Sequence, residues 1–101
     1  MAALLLGQVN VKQEDLWQVY VDGVYRSLEP YQARTLYRGD KLKMMVGENP
    51  RQRVVVIEFL DPQELEAWSQ SDEYQALIPL RDQAADVMIT IYHNDQVYSA
   101  A

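Results

Sequence analysis

Glu58 stands in the run Arg53-Val54-Val55-Val56-Ile57-Glu58-Phe59-Leu60, among neighbours that are nearly all apolar. In an extended strand it shares a face with Val54, Val56 and Leu60, while Val55, Ile57 and Phe59 take the other. A carboxylate in an apolar layer is costly unless it is paired or hydrogen-bonded. One chemistry for it is proton abstraction, or orientation of a ligand, by a carboxyl whose pKa burial has raised. The other is a structural ion pair with Arg38, Arg53 or Arg81. These arginines are themselves candidates. A guanidinium grips a carboxylate through two parallel hydrogen bonds, which suits a small acidic metabolite, and in an enzyme it would stabilise a developing oxyanion. Trp68 and Tyr74 are large side chains at packing positions, as are Trp17 and Tyr20. They read as core or as the wall of a cavity: a buried Trp68 needs an acceptor for its indole N–H, and the Tyr74 hydroxyl can line a pocket.

Much chemistry is excluded by composition. The 101 residues contain no cysteine, which removes disulfides, thiolate nucleophiles and sulfur-ligated metals. The one histidine, His93, leaves a metal site to Asp and Glu and makes it the sole nitrogen ligand available to a haem. There is no Gly-rich phosphate loop, no G-x-S-x-G and no H-E-x-x-H. Nine basic residues stand against fifteen acidic ones, a formal net charge of -6. The basic residues Arg34, Arg38, Lys41, Lys43, Arg51 and Arg53 are interrupted by Asp40 and Glu48. That is a poor footprint for a phosphate backbone, so no nucleic-acid partner is expected. The apolar start Met1 to Leu6 is too short for a signal peptide or a bilayer span. The expectation is a cytoplasmic protein with no membrane contact, no metal and no cofactor.

The elements that must position these side chains follow from hydrophobic period. Ala3 to Val11 reads as a strand, with Leu4 and Leu6 on one face and Leu5, Val9 and Val11 on the other. Leu16, Trp17, Tyr20, Val21, Val24 and Leu28 then recur at spacings of three and four, an amphipathic helix opposite Glu14, Gln18, Asp22 and Arg26. Gly23 weakens that helix by about 1 kcal/mol relative to Ala, so packing must hold it. Pro30 ends it. A strand over residues 33–38 follows, and 41–46 continues it after a bulge or turn. Residues 47–51 form a loop and 53–60 a strand. Asp61, Pro62 and Glu64 have the spacing of an N-cap, a first helical residue and a capping box. Ser71 or Asp72 caps a second short helix, broken near Ile78 by Pro79. Residues 87–92 form the last strand, with a turn at Asn94 and Asp95 and a tail that adds at most a short edge segment.

Strand, helix, strand, strand, helix, strand is the βαββαβ order of an α+β ferredoxin-like sandwich: one domain over residues 1–101, an antiparallel sheet with both helices on one face. The run Val54 to Ile57 is apolar on both sides of the pleat. One helical layer covers one side only, and a large apolar patch left in water is unusual for a monomer. A homodimer, sheet against sheet, is therefore expected.

The block R-V-V-V-I-E-F at 53–59, A-W at 67–68, S-D-E-Y-Q at 71–75, Arg81, and the pair Arg38-Gly39 resemble the domain-of-unknown-function 1330 family over roughly Leu5 to Tyr92. That resemblance implies a dimeric α/β barrel of ferredoxin-like subunits. It implies no agreed reaction, since the wider superfamily holds cofactor-free monooxygenases, haem-degrading enzymes and plain ligand binders. Gln13 stands where the family usually opens the first helix with aspartate, and Gln32-Ala33 where it often has a glycine pair. Two functions are expected on this basis. The first is a cofactor-free enzyme acting on a small polar or acidic metabolite, with Glu58 as base, Arg38 or Arg81 as partner, Arg53 as a further ligand contact, and Trp68 and Tyr74 as wall. The second is a non-catalytic structural or ligand-binding dimerisation module.

Overall fold

Residue period changes at Gln13, and the backbone changes with it. A computed structural model of the chain describes residues 2–94. Strand β1 (Ala2–Val11) leads into helix α1 (Glu14–Leu28), followed by β2 (Ala33–Asp40) and β3 (Arg53–Phe59). Three short helices, α2 (Pro62–Ser69), α3 (Asp72–Gln75) and α4 (Ile78–Ala84), precede β4 (Ala85–Asn94). The strands form one antiparallel sheet in the order β2-β3-β1-β4. This is the expected ferredoxin-like sandwich. The turn expected at Asp95 and the tail beyond it lie outside the described residues.

The helices cover one face. Ala3, Leu5 and Val9 of β1, with Ile57 and Phe59 of β3, are buried in a common core with Trp17, Tyr20, Leu65, Trp68 and Tyr74. Side chains in the alternate positions, Leu4, Leu6, Val54 and Val56, point to the other face, where no described helix lies over them. In cross-strand register Leu6 pairs with Val56 and Thr90, Tyr37 with Val56, and Leu4 with Glu58 and Tyr92. The outer face is thus apolar through its middle, with Tyr37, Met88 and Tyr92 each about half exposed.

The expectation of a dimeric α/β barrel is not met. The sheet is open: β2 and β4 are its edges, each with one paired neighbour among the described residues. The reason is strand number. A barrel needs about eight strands before its interior can hold side chains, and four antiparallel strands with helices on one face form a layer.

Local chemistry explains the boundaries. Asp61 caps α2 by accepting the Glu64 N–H at 2.8 Å, and Pro62 opens the helix where its missing N–H costs nothing. The capping box closes halfway, because the Glu64 carboxylate accepts the Gln32 N–H (3.3 Å). Ser71 caps α3 through the Tyr74 N–H, and Pro79 falls in the first turn of α4, so the break expected near Ile78 becomes a new helix. Gln13 does not cap α1 with its side chain. Its backbone N–H and that of Lys12 instead donate to the Ala84 carbonyl, tying the start of α1 to the end of α4. Gly23 marks the close approach between α1 and Leu77, where a Cβ would come within 2.6 Å of the leucine side chain. Residues 41–46 do not continue β2. They form an irregular loop, and the bulge lies earlier, between Thr35 and Tyr37.

The α2 cap gives a direct test. Asp61→Ala should cost about 1 kcal/mol in urea unfolding, with Asp61→Asn keeping most of it. An unchanged midpoint for Asp61→Ala would remove the cap from the account of this helix.

Candidate functional site

Aromatic side chains on α1, α2 and α3 converge over the sheet. Trp68 lies between Phe59 (ring centroids 5.4 Å apart) and Tyr74 (4.2 Å), Tyr74 meets Tyr20 edge-on at 6.5 Å, and Tyr20 meets Trp17 at 5.0 Å. The indole N–H that the sequence left in need of an acceptor donates to Ser27 Oγ at 2.9 Å. Ser27 passes its own hydrogen to the Val24 carbonyl at 2.7 Å. Both ends of this buried link are satisfied.

Between α1 and the sheet, these rings leave a cavity of about 330 Å³. Its floor includes Leu5, Gly7 and Ile57, and its walls include Trp17, Tyr20 and Trp68. Gly7 keeps the floor low, because a Cβ there would sit 2.9 Å from Val55 Cγ1. Toward the edge of the sheet the lining turns polar, with Arg38, Asp40 and Arg53. An apolar hollow with charges at its mouth is the usual form of a small-molecule site.

The two mouth arginines differ. Arg53 donates through both terminal nitrogens to Glu14 (2.5 and 3.3 Å), and its Nε lies 3.3 Å from Asp40. The hydrogen bond to Glu14 is the main cause of its raised pKa, and Asp40 adds to it. Of the two, only Arg38 has no carboxylate partner among the described residues. It donates to the Tyr25 hydroxyl at 3.2 Å and lies 5.7 Å from the centre of that ring.

Of the residues singled out in the sequence, Trp17, Tyr20, Arg38, Arg53, Trp68 and Tyr74 line this cavity. Arg81 stands behind it, donating from Nη1 to the Tyr74 hydroxyl at 3.0 Å. Glu58 is not there. It points to the opposite face of the sheet, where its carboxylate meets Arg34 Nε at 2.8 Å. Its ion-pair partner is therefore its cross-strand neighbour on β2, not Arg38, Arg53 or Arg81. Ordinary strand alternation explains this: Val55, Ile57 and Phe59 take the helix side, which leaves Glu58 outside. Tyr25, Ser27 and Gly7 were not legible as site residues. Only a glycine in mid-strand, a mark of close approach or a missing wall, could have pointed to one of them.

Residues 2–94 match the family model described as "Domain of unknown function (DUF1330)". The chain belongs to the DUF1330 family. Among solved structures, the DUF1330 chain resembles RPA0582, a protein of unknown function from Rhodopseudomonas palustris. That match has 14% identity and a TM-score of 0.79, covering 95% of this chain and 84% of that one. A Thermobifida fusca protein of unknown function, described as dimeric and ferredoxin-like, matches at 11% identity and TM-score 0.64 over 91% and 90% of the two chains. SnoaB from Streptomyces nogalater, a cofactor-independent oxygenase, matches at 6% identity and TM-score 0.66 over 98% of each chain. At such identities the likeness is one of fold. No curated protein matches the chain. Among the described residues no helix is long and apolar enough to cross a membrane, and no three His, Asp or Glu side chains gather as a metal site would require.

The buried link between α1 and α2 can be broken at one atom. Ser27→Ala leaves the Trp68 indole N–H buried without an acceptor and should cost about 1–3 kcal/mol in chemical denaturation. A loss below a few tenths would mean the indole finds another partner.

Proposed function

We propose that this DUF1330 protein is a ligand-binding module that holds a small amphipathic acid between α1 and the sheet, as a homodimer joined through the outer sheet face. The observation that carries the first part is the cavity itself, apolar and aromatic inside with an uncommitted guanidinium, Arg38, at its mouth. A ring system buried against Trp17, Tyr20 and Trp68 loses water from both partners, while an acid group at the rim can take two hydrogen bonds from Arg38. The ligand is small, since about 330 Å³ is the lower end of the range for organic ligands.

The placement of Glu58 favours this module over the cofactor-free enzyme also weighed. Proton abstraction needs a base within hydrogen-bond reach of the substrate. Glu58 is on the far side of the sheet, and among the described residues the one carboxylate that lines the cavity, Asp40, lies against Arg53. Likeness of fold to a cofactor-independent oxygenase does not supply the missing group.

The homodimer rests on the outer face, where Leu4, Leu6, Val54 and Val56 form a patch bordered by Tyr37, Met88 and Tyr92. A stable interface buries about 800 Å² on each partner, and a second copy of this face would cover the strip with like side chains. Relatives described as dimeric agree with that.

Two measurements test these statements. Calorimetric titration should show saturable binding of 2-naphthoate that moves both tryptophan indole signals in NMR spectra. Arg38→Gln should weaken it about tenfold, and Glu58→Gln should leave it unchanged. Absence of saturable binding, or a Glu58→Gln variant that loses it, would overturn the site. Sedimentation at micromolar concentration should give twice 11.7 kDa for the native chain and a monomer for Val56→Glu. A native monomer would remove the dimer.

A further inference from the structure

Inside the cavity the polar groups are few, and they are ordered. Arg81 Nη1 donates to the Tyr74 hydroxyl oxygen at 3.0 Å, and that oxygen lies 3.1 Å from the Tyr20 hydroxyl. A guanidinium has hydrogens only to give, so Tyr74 accepts from Arg81. The hydrogen on Tyr74 then has one described acceptor within reach, the oxygen of Tyr20. Of the two directions open to the Tyr20–Tyr74 bond, the one with Tyr74 giving and Tyr20 receiving lets each bond polarise the next. The Tyr20 hydrogen is left over at the end of the chain, on a residue that lines the cavity.

We propose that Tyr20 is the inner recognition group of the site, presenting a hydroxyl hydrogen, backed by Tyr74 and Arg81, to a carbonyl or phenolate oxygen on the buried end of the ligand. The proposal rests on the reading of the cavity as a ligand site and narrows its ligand. The molecule is an aromatic acid with its anionic group at Arg38 and a second, acceptor oxygen at the opposite end. Burial holds the Tyr20 proton more tightly than in a free phenol. Tyr20 therefore acts as a donor at ordinary pH. The cation behind it lies outside the lining, since Arg81 touches the cavity only through Tyr74. A charge placed there favours negative charge on a ligand oxygen without meeting the ligand. Arg81 also donates from Nε to Asp82 Oδ1 at 2.9 Å, an exposed carboxylate that screens only part of its charge.

The test compares two probes that differ by one oxygen. 6-Hydroxy-2-naphthoate should bind about tenfold more tightly than 2-naphthoate once its hydroxyl is ionised, the value of one charge-assisted hydrogen bond. The ionisation of the bound hydroxyl, read from its absorption spectrum, should fall by about one pH unit relative to the free probe, the same tenfold expressed as a titration. Tyr20→Phe should collapse the ratio between the probes to about one and abolish the spectral shift. Arg81→Gln, which keeps a donor but removes the charge, should reduce the shift. A purely structural role would weaken both probes alike and leave their ratio intact, and that result would overturn the proposal. Should Tyr20→Phe fail to fold, Tyr74→Phe breaks the same chain one link back and must also reduce the shift. If both probes bind equally to the native protein with no spectral shift, the recognition chain is wrong and the cavity reading stands. If neither binds, both fall.

Discussion

A buried indole must hand its hydrogen to something, and where Trp68 hands it decides how the two layers of this protein stand apart. The acceptor is Ser27, on the helix that roofs the cavity. The bond pins α1 to α2 while Trp68 fills the space between Phe59 and Tyr74. The remaining rings then act as spacers, holding α1 off the strands along the stretch where Gly7 contributes no side chain. Close packing is the rule in protein interiors. A chamber of about 330 Å³ persists here because rigid aromatic rings, fixed by hydrogen bonds, cannot collapse into it.

The fold was readable because its signals are local. Periods of two and of three to four located β1, α1 and β3, and the Asp61-Pro62 and Ser71 caps placed α2 and α3. Proline at 79 correctly broke the last helical stretch. Where the reading failed, long-range geometry was needed. Lys41 to Val46 has residue types that suit a strand, yet the hairpin between β2 and β3 turns away first: Lys41 N–H reaches the Gln52 carbonyl, and the next residues leave the sheet. The expectation of closure into a barrel came from resemblance, and the four strands of the described chain form an open sheet instead.

The site was half legible, for a related reason. Arg38, Arg53, Trp68 and Tyr74 were found because their types carry obvious chemistry, and the structure brings them to one chamber. Glu58 attracted notice by the same standard, but its face was the wrong one, and its partner Arg34 is fixed by the β2–β3 register that no single strand reveals. Tyr20 stood between core and cavity wall, because its helical spacing suits both. What distinguishes it is a hydroxyl 54 residues away in sequence, on Tyr74.

The bulge between Thr35 and Tyr37 lies on the strand that borders the sheet on one side. A flat, unpaired strand invites a foreign chain to add itself, the first step toward fibrous aggregation. Here the irregular pleat interrupts that template, and the long cations Arg34 and Arg38 along it would have to shed water for a stranger to dock. Arg38 at the cavity mouth thus also guards the border against indiscriminate self-association.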